Sequence, residues 1–154
     1  MIIDANVILR AFFPDQAQEQ AQAVVRDHVV GQIVLKAPDL LPYELANAVW
    51  QAQRRGRLNT AQAQEIIQAM EGLHIEIVPL GWGEMLPLAH RFDRSAYDAA
   101  YLFLAERLGE PLITGDERLY NAVHPYLDWV HWVETYASQI WVLPRRSNFL
   151  IPKS

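Results

Sequence analysis

Four carboxylates stand at positions where they could act together: Asp4 after Ile2-Ile3, Glu44 after Pro42-Tyr43, Asp98 before Ala99-Ala100, and Asp116 after Thr114-Gly115. Singly, each has an ordinary reading. Asp4 and Asp116 can cap the helices that follow them, because a short acidic side chain accepts from the unpaired N–H groups of a first turn. Asp98 lies three residues after Ser95, as in a capping box, and near a helix N-terminus where negative charge is favoured. Glu44 can be a solvated helix residue. Jointly they imply more. Glu44 borders the apolar stripe of Leu41, Leu45 and Ala48, and Asp98 shares a turn with Ala99 and Ala100, so both should face inward. Several like charges gathered in one place repel, and some would have to take up protons. A hard divalent cation relieves that conflict, and Mg²⁺ or Mn²⁺ prefers such oxygen ligands while keeping part of its water.

The elements needed to gather these acids can be read from periodicity and punctuation. Short apolar runs, Ile2-Ile3, Ile33–Leu35, Ile75–Val78, Pro111–Thr114 and Trp129–Val133, read as about five strands. Between them lie helical stretches over Ala5–Phe12, from an Asp15 cap to Val30, Leu40–Arg55 behind Asp39, Ala61–Glu71 behind Thr60, Trp82–Phe92, Ala96–Leu108 behind Ser95, and from Asp116 to Val123. Gly31, Gly56, Gly72 and Gly109 end helices. Buried strands alternating with helices predict an α/β fold, three layers α/β/α around a mostly parallel sheet. Right-handed crossovers place the loops after the strands on one edge, where ligands bind. Asp4 and Asp116 each fall directly after a strand, at that edge.

The chain has 154 residues, enough for one domain with a sizeable core, and no repeat or low-complexity tract. Residues 1–133 form the expected domain. Residues 134–154 are a C-terminal extension, expected to pack on that domain or on a partner, with Trp141, Arg145, Arg146 and Phe149 as its notable side chains. No cysteine is present, which removes disulfides, zinc ribbons and thiol nucleophiles. The five histidines form no i,i+4 pair, so a zinc site is not expected. No apolar run reaches the roughly 20 residues that span a bilayer, and Met1-Ile2-Ile3-Asp4 has no basic n-region. A cytoplasmic protein with no membrane partner is expected. With 13 basic and 18 acidic residues, net charge −5, the chain is no electrostatic coat for nucleic acid. Gly81-Trp82-Gly83 lacks the third glycine of a dinucleotide fingerprint. Trp129 and Trp132, three apart on a strand, read as core and interface.

With Asp4 and Asn6 in the opening D-x-N, Glu44 in Pro-Tyr-Glu-Leu-Ala-Asn-Ala-Val, Asp98 in Tyr-Asp-Ala-Ala-Tyr-Leu and Thr114 and Asp116 in T-G-D, the sequence resembles the PIN-domain family, particularly the VapC-type toxins of toxin–antitoxin pairs. The resemblance runs from Ile2 to Val133 and rests on the order and spacing of all four motifs. It implies an endoribonuclease that cuts single-stranded or loop RNA with Mg²⁺ or Mn²⁺. By the same resemblance Asp4, Asp98 and Asp116 bind metal directly or through water, Glu44 completes the acid cluster as ligand or base, and Asn6 and Thr114 orient the carboxylates. A cognate antitoxin that covers the site, with a basic side chain among the acids, and a homodimer are implied as well. Given the acidic net charge, RNA capture falls to local arginines: Arg10, Arg54, Arg55 or Arg57.

Two rival readings differ in class. A phosphoryl-transfer protein with an aspartate nucleophile would need a paired acid or D-x-D-x-T at Asp4, where Ala5-Asn6 follows instead, and a late sheet lysine, whereas the only lysines are Lys36 and Lys153. A non-catalytic or housekeeping PIN module would bind RNA or protein without a toxin role.

Overall fold

The computed structural model describes residues 1–138. Five short strands, β1 (Ile2–Ile3), β2 (Lys36–Pro38), β3 (Glu76–Val78), β4 (Leu112–Thr114) and β5 (Val130–Trp132), form one sheet in the order β3-β2-β1-β4-β5. Every neighbouring pair is parallel, with Ile2 opposite both Lys36 and Leu112, and Ile113 opposite His131. Seven helices make the crossovers: α1 (Ala5–Phe12), α2 (Glu19–Val29), α3 (Leu41–Arg54), α4 (Thr60–Glu71), α5 (Leu86–Phe92), α6 (Ala96–Leu108) and α7 (Glu117–Val123). The expected three-layer α/β/α architecture is what the chain adopts. Ile2, Ile3, Leu112 and Ile113 are fully buried, as a sheet covered on both faces requires. Among the described residues no helix is long and apolar enough to cross a membrane.

Helix α6 lies at the centre of the assembly, packing on β1, β2 and β4 and against α5. Ala99, Ala100, Tyr101, Leu102, Leu104 and Ala105 are all buried, so apolar contact surrounds the middle of the helix rather than one stripe. Ser95 caps it by accepting from the Asp98 N–H at 3.1 Å, and Gly109 ends it in the left-handed conformation at φ 62°.

Several element boundaries differ from the sequence reading, each for a local reason. The second strand is Lys36–Pro38 and not Ile33–Leu35. The chain at Gln32 and Ile33 is still closing α2, both N–H groups donating to the Asp27 carbonyl, and the Leu35 N–H goes to His28, so sheet pairing can begin only at Lys36. Asp15 does not cap α2. Its carboxylate takes the Arg57 guanidinium in a two-pronged bond at 2.8 and 2.9 Å, and α2 begins at Glu19. Asn59, not Thr60, caps α4, in a reciprocal box with Gln62. Asp39 is displaced as cap by Leu40, and the stretch from Trp82 is a turn until α5 starts at Leu86.

Beyond Val133 the described residues pack against α2 and the segment before it. Tyr136 is buried and donates to Asp27 Oδ2 at 2.6 Å, while Gln18 Nε2 donates to Glu134 at 3.0 Å. The aromatic and basic residues singled out at 141, 145, 146 and 149 lie outside the described residues.

One side chain joins three segments of the fold. His28 Nε2–H donates to the Leu73 carbonyl at 2.7 Å, and Nδ1 accepts from the Leu35 N–H at 3.2 Å. Both bonds require the neutral ring with its proton on Nε2. His28→Leu strands a backbone donor and a backbone acceptor at once, and is expected to lower unfolding free energy by about 2 kcal/mol. A urea melt checks this; an unchanged midpoint would show the two bonds to be dispensable.

Candidate functional site

Each of the four acids reaches the carboxyl edge of the sheet by a different element. Asp4 follows β1 and caps α1, its Oδ1 accepting from the Val7 N–H at 3.0 Å. Asp116 follows β4 and caps α7, its Oδ1 accepting from Arg118 and Leu119 N–H groups at 2.9 and 3.2 Å. Glu44 stands in the first turn of α3, just beyond β2, and Asp98 in the first turn of α6. The capping roles of Asp4 and Asp116 are therefore real, and they leave the remaining oxygens to other partners.

Asp4 is the most enclosed, at 3% exposure. Its Oδ1 also accepts from the Gly115 N–H at 3.4 Å, and its Oδ2 accepts from the Thr114 hydroxyl. Burial pushes its carboxyl up to about 6; the Thr114, Val7 and Gly115 bonds oppose the rise and the Asp116 charge adds to it. Burial likewise raises Glu44, against a Tyr101 hydrogen bond and with help from Asp98. Asp98 is raised by burial too, against the Arg94 pair and with help from Asp116. Asp116 thus acts electrostatically on Asp4 and Asp98, and Asp98 on Glu44: the acids form one interacting set.

Two partners in this set escape a reading of the sequence alone. Tyr101, 2% exposed, donates its hydroxyl to Glu44 Oε1 at 2.6 Å and so ties α6 to α3. It lies three residues after Asp98 and hence on nearly the same helix face, the one signal that could have flagged it. Arg94 holds Asp98 Oδ2 from Nε at 3.1 Å and Nη2 at 3.0 Å. Asp98 therefore completes no capping box with Ser95; its carboxylate faces arginine instead.

Thr114 is fully buried, accepts from the Asp116 N–H at 3.0 Å and donates to Asp4, so one hydroxyl sets both acids of the central strands. Gly115 packs closely under its neighbours: an added Cβ would meet Arg10 Nε at 3.0 Å and Asn6 Cβ at 3.2 Å, and one or both side chains would have to give. Asn6 is exposed beside this turn, and among the described residues it donates to none of the four acids. The four arginines divide. Arg10 stands at the acid edge, donating from Nη2 to the Gly115 carbonyl at 2.8 Å. Arg54 and Arg55 close α3 about 15 Å of helix rise beyond Glu44. Arg54 covers the Trp50 ring, and Arg57 is spent on Asp15.

The donor chemistry fits a hard divalent cation. Hydrogen bonds occupy Glu44 Oε1 and Asp116 Oδ1, leaving Glu44 Oε2 and Asp116 Oδ2 without a hydrogen bond among the described residues, while Asp98 is held by Arg94 and Ser95. No three acids or histidines among those residues close into a ready chelating group. Oxygen-only donors of this kind are what Mg²⁺ prefers, a cation that keeps several waters and takes only one or two carboxylates directly.

The model of the PIN domain matches residues 1–124 of the chain. Ribonuclease VapC3 of Pyrobaculum aerophilum is 31% identical over 123 residues, covering 77% of this chain and 91% of the relative. Ribonuclease VapC9 of Mycobacterium tuberculosis is 32% identical over 120 residues, with 77% and 87% covered. The crystal structure of PAE2754 from Pyrobaculum aerophilum shares the fold, at TM-score 0.66 and 24% identity over 87% of this chain and 83% of that one. With its sheet order, its acid-bearing edge and these likenesses together, the chain belongs to the PIN-domain family.

Proposed function

We propose that this protein is a metal-dependent endoribonuclease of the VapC toxin type, hydrolysing RNA phosphodiester bonds. The observation that carries the reading is that four acids from four separate elements act electrostatically on one another at one sheet edge. Relatives bearing the name ribonuclease over most of the chain support it. In this reading Asp4, Asp98 and Asp116 hold Mg²⁺ or Mn²⁺, directly or through water. When bound, such a cation lowers the pKa of water and neutralises charge on phosphate oxygens. Thr114 and the backbone N–H groups of Val7 and Gly115 fix the Asp4 carboxylate. Tyr101 fixes Glu44 through Oε1, so Oε2 is left to accept a proton from the attacking water or to orient it. Arg94 offsets the negative charge at Asp98, which eases the approach of a phosphate. RNA is the substrate. A cognate antitoxin and a second copy of the chain are the proposed protein partners.

The test is cleavage of a fluorophore–quencher RNA in Mn²⁺, in EDTA, and by Asp98→Ala. Cleavage is expected only in Mn²⁺, with the variant slower by three orders of magnitude or more. Equal rates in wild type and variant would refute the assignment. Metal binding by calorimetry with no RNA cut would favour a non-catalytic module. The toxin role is tested separately: expression should arrest growth, and co-expression of the neighbouring gene's product should relieve it.

A further inference from the structure

Two consecutive residues of α2 hold, respectively, the end of the described chain and the mouth of an apolar groove. After β5 the chain runs along α2 from its start towards its end. Glu134 Oε1 accepts from the side-chain amide of Gln18, the residue before α2, and Tyr136 donates to Asp27, about 13 Å of helix rise further on. His28 comes next. Its ring bonds the Leu73 carbonyl and the Leu35 N–H, so the end of α2, the approach to β2 and the approach to β3 meet at one residue. Tyr136 is thus anchored beside that junction.

The groove begins where the junction ends, at His74. Tyr43, Ala46, Ile67, Met70, Ile75 and Ile77 line about 540 Å³ between α3, α4 and β3, and β3 is an edge strand. Tyr43 and Ile77 are exposed there. The segments that His28 joins are exposed and apolar too: Val29 and Val30, which follow it, at 67% and 62%, and Val34, which precedes Leu35, at 56%. A single exposed valine is ordinary, whereas apolar side chains gathered along one route into an apolar groove mark a surface that something covers.

The chain itself carries a segment of matching chemistry. Residues 139–154 hold Ile140, Trp141, Val142 and Leu143, then Arg145-Arg146, then Phe149, Leu150 and Ile151. Glu71 stands on the rim of the groove with the charge opposite to the two arginines. Reach is sufficient. Only two hydrogen-bonded side chains on adjacent residues separate Tyr136 from Leu73, and an extended chain covers about 3.3 Å per residue. A segment tethered this close meets the groove at an effective concentration of about millimolar, an advantage that a separate partner lacks.

We propose that residues 139–154 dock back into the groove between α3, α4 and β3 of the same chain. Residues 140–143 cover Ile75 and Ile77, and the arginine pair faces Glu71. The docked segment shields the β3 edge, which would otherwise offer unpaired backbone groups to other chains.

The experiment uses the full chain, held under native conditions with a trace of trypsin, and intact mass reads cleavage after Arg145 or Arg146. Ala46→Glu places a charge in the groove at an exposed position, and Trp141→Asp places one in the segment. Each is expected to speed that cleavage about tenfold or more, while cleavage within residues 1–138 stays within about twofold of wild type. Ala69→Glu, exposed on the side of α4 away from Ile67 and Glu71, should leave the cleavage rate as in wild type. Light scattering should give one mass for wild type and all variants. Equal cleavage of wild type, Ala46→Glu and Trp141→Asp would overturn the proposal. Protection lost in Trp141→Asp but kept in Ala46→Glu would overturn it as well, placing the segment elsewhere on the domain. A mass that halves in both variants would place the segment in the groove of a second copy and equally refute docking within one chain.

Discussion

Asp4→Asn is expected to silence RNA cleavage by three orders of magnitude or more and, in the metal-free protein at pH 7, to raise stability. The two effects share one cause. Asp4 is buried at 3% exposure, and its carboxyl is pushed up to about 6 from 3.8, chiefly by burial. Between those values the folded protein holds a proton that the unfolded chain has released, so unfolding free energy falls as pH rises from about 4 to about 6 and levels off above. Across that window the loss is roughly 3 kcal/mol from Asp4 alone. Glu44 and Asp98, raised in the same direction, add to it. Asparagine keeps the shape of the side chain and carries no charge to desolvate. In the metal-free state its melting temperature at pH 7 should exceed that of wild type by about 6–12 °C, and the gap should close towards pH 4. Saturating Mn²⁺ should narrow the gap at pH 7 by stabilising wild type alone. A variant less stable than wild type at pH 7 would mean that the hydrogen bonds to the charged carboxylate outweigh its burial.

The second large effect is at Thr114. Its hydroxyl donates to Asp4 and accepts from the Asp116 N–H, and the side chain is fully buried. Thr114→Val preserves volume but strands the Asp116 N–H and leaves Asp4 without its side-chain donor. One buried and one partly buried group left unsatisfied should cost about 2 kcal/mol. Because Thr114 is among the bonds that hold the Asp4 carboxyl down, the cost should be larger at pH 8 than at pH 5, where a protonated Asp4 needs no donor. Activity should fall about 10–100-fold, the usual consequence of losing a group that orients a metal-binding carboxylate. Thr114→Ser keeps the hydroxyl and should restore most of the activity while remaining somewhat less stable. A valine variant as active as wild type would remove Thr114 from the site.

Much of the fold could be read from the chain because its signals are local and agree with one another. Ser95 and Gly109 bracket α6 as expected, and Ile2-Ile3 and Leu112–Thr114 are strands for the reason anticipated, apolar runs too short for helices and each closed by an acid. The errors fall where a distant residue competes for a local signal. Asp15 looks like a helix cap until Arg57, 42 positions away, claims its carboxylate. Ile33–Leu35 looks like a strand until His28 takes the Leu35 N–H. At the candidate site, Asp4 and Asp116 stand out in the sequence because acid type and a place just after a strand coincide, and Glu44 and Asp98 because each borders the buried residues of its helix. Tyr101 and Arg94 were not, since nothing in the order of residues says that a buried tyrosine of α6 meets a glutamate 57 positions earlier. Which of the arginines stand near the acids is not legible from the sequence, because position along α3 and pairing with Asp15 decide it.

The strand made first lies in the middle of the sheet. Ile2 pairs with β2 on one side and β4 on the other, and the bond between Thr114 and Asp4 spans 110 positions. A ribosome must therefore release nearly the whole described domain before the centre of the sheet can close or Asp116 can join the other acids. Such long-range parallel pairing is slow to form. Until that closure the four acids cannot act as a set, however much of the rest of the chain has folded.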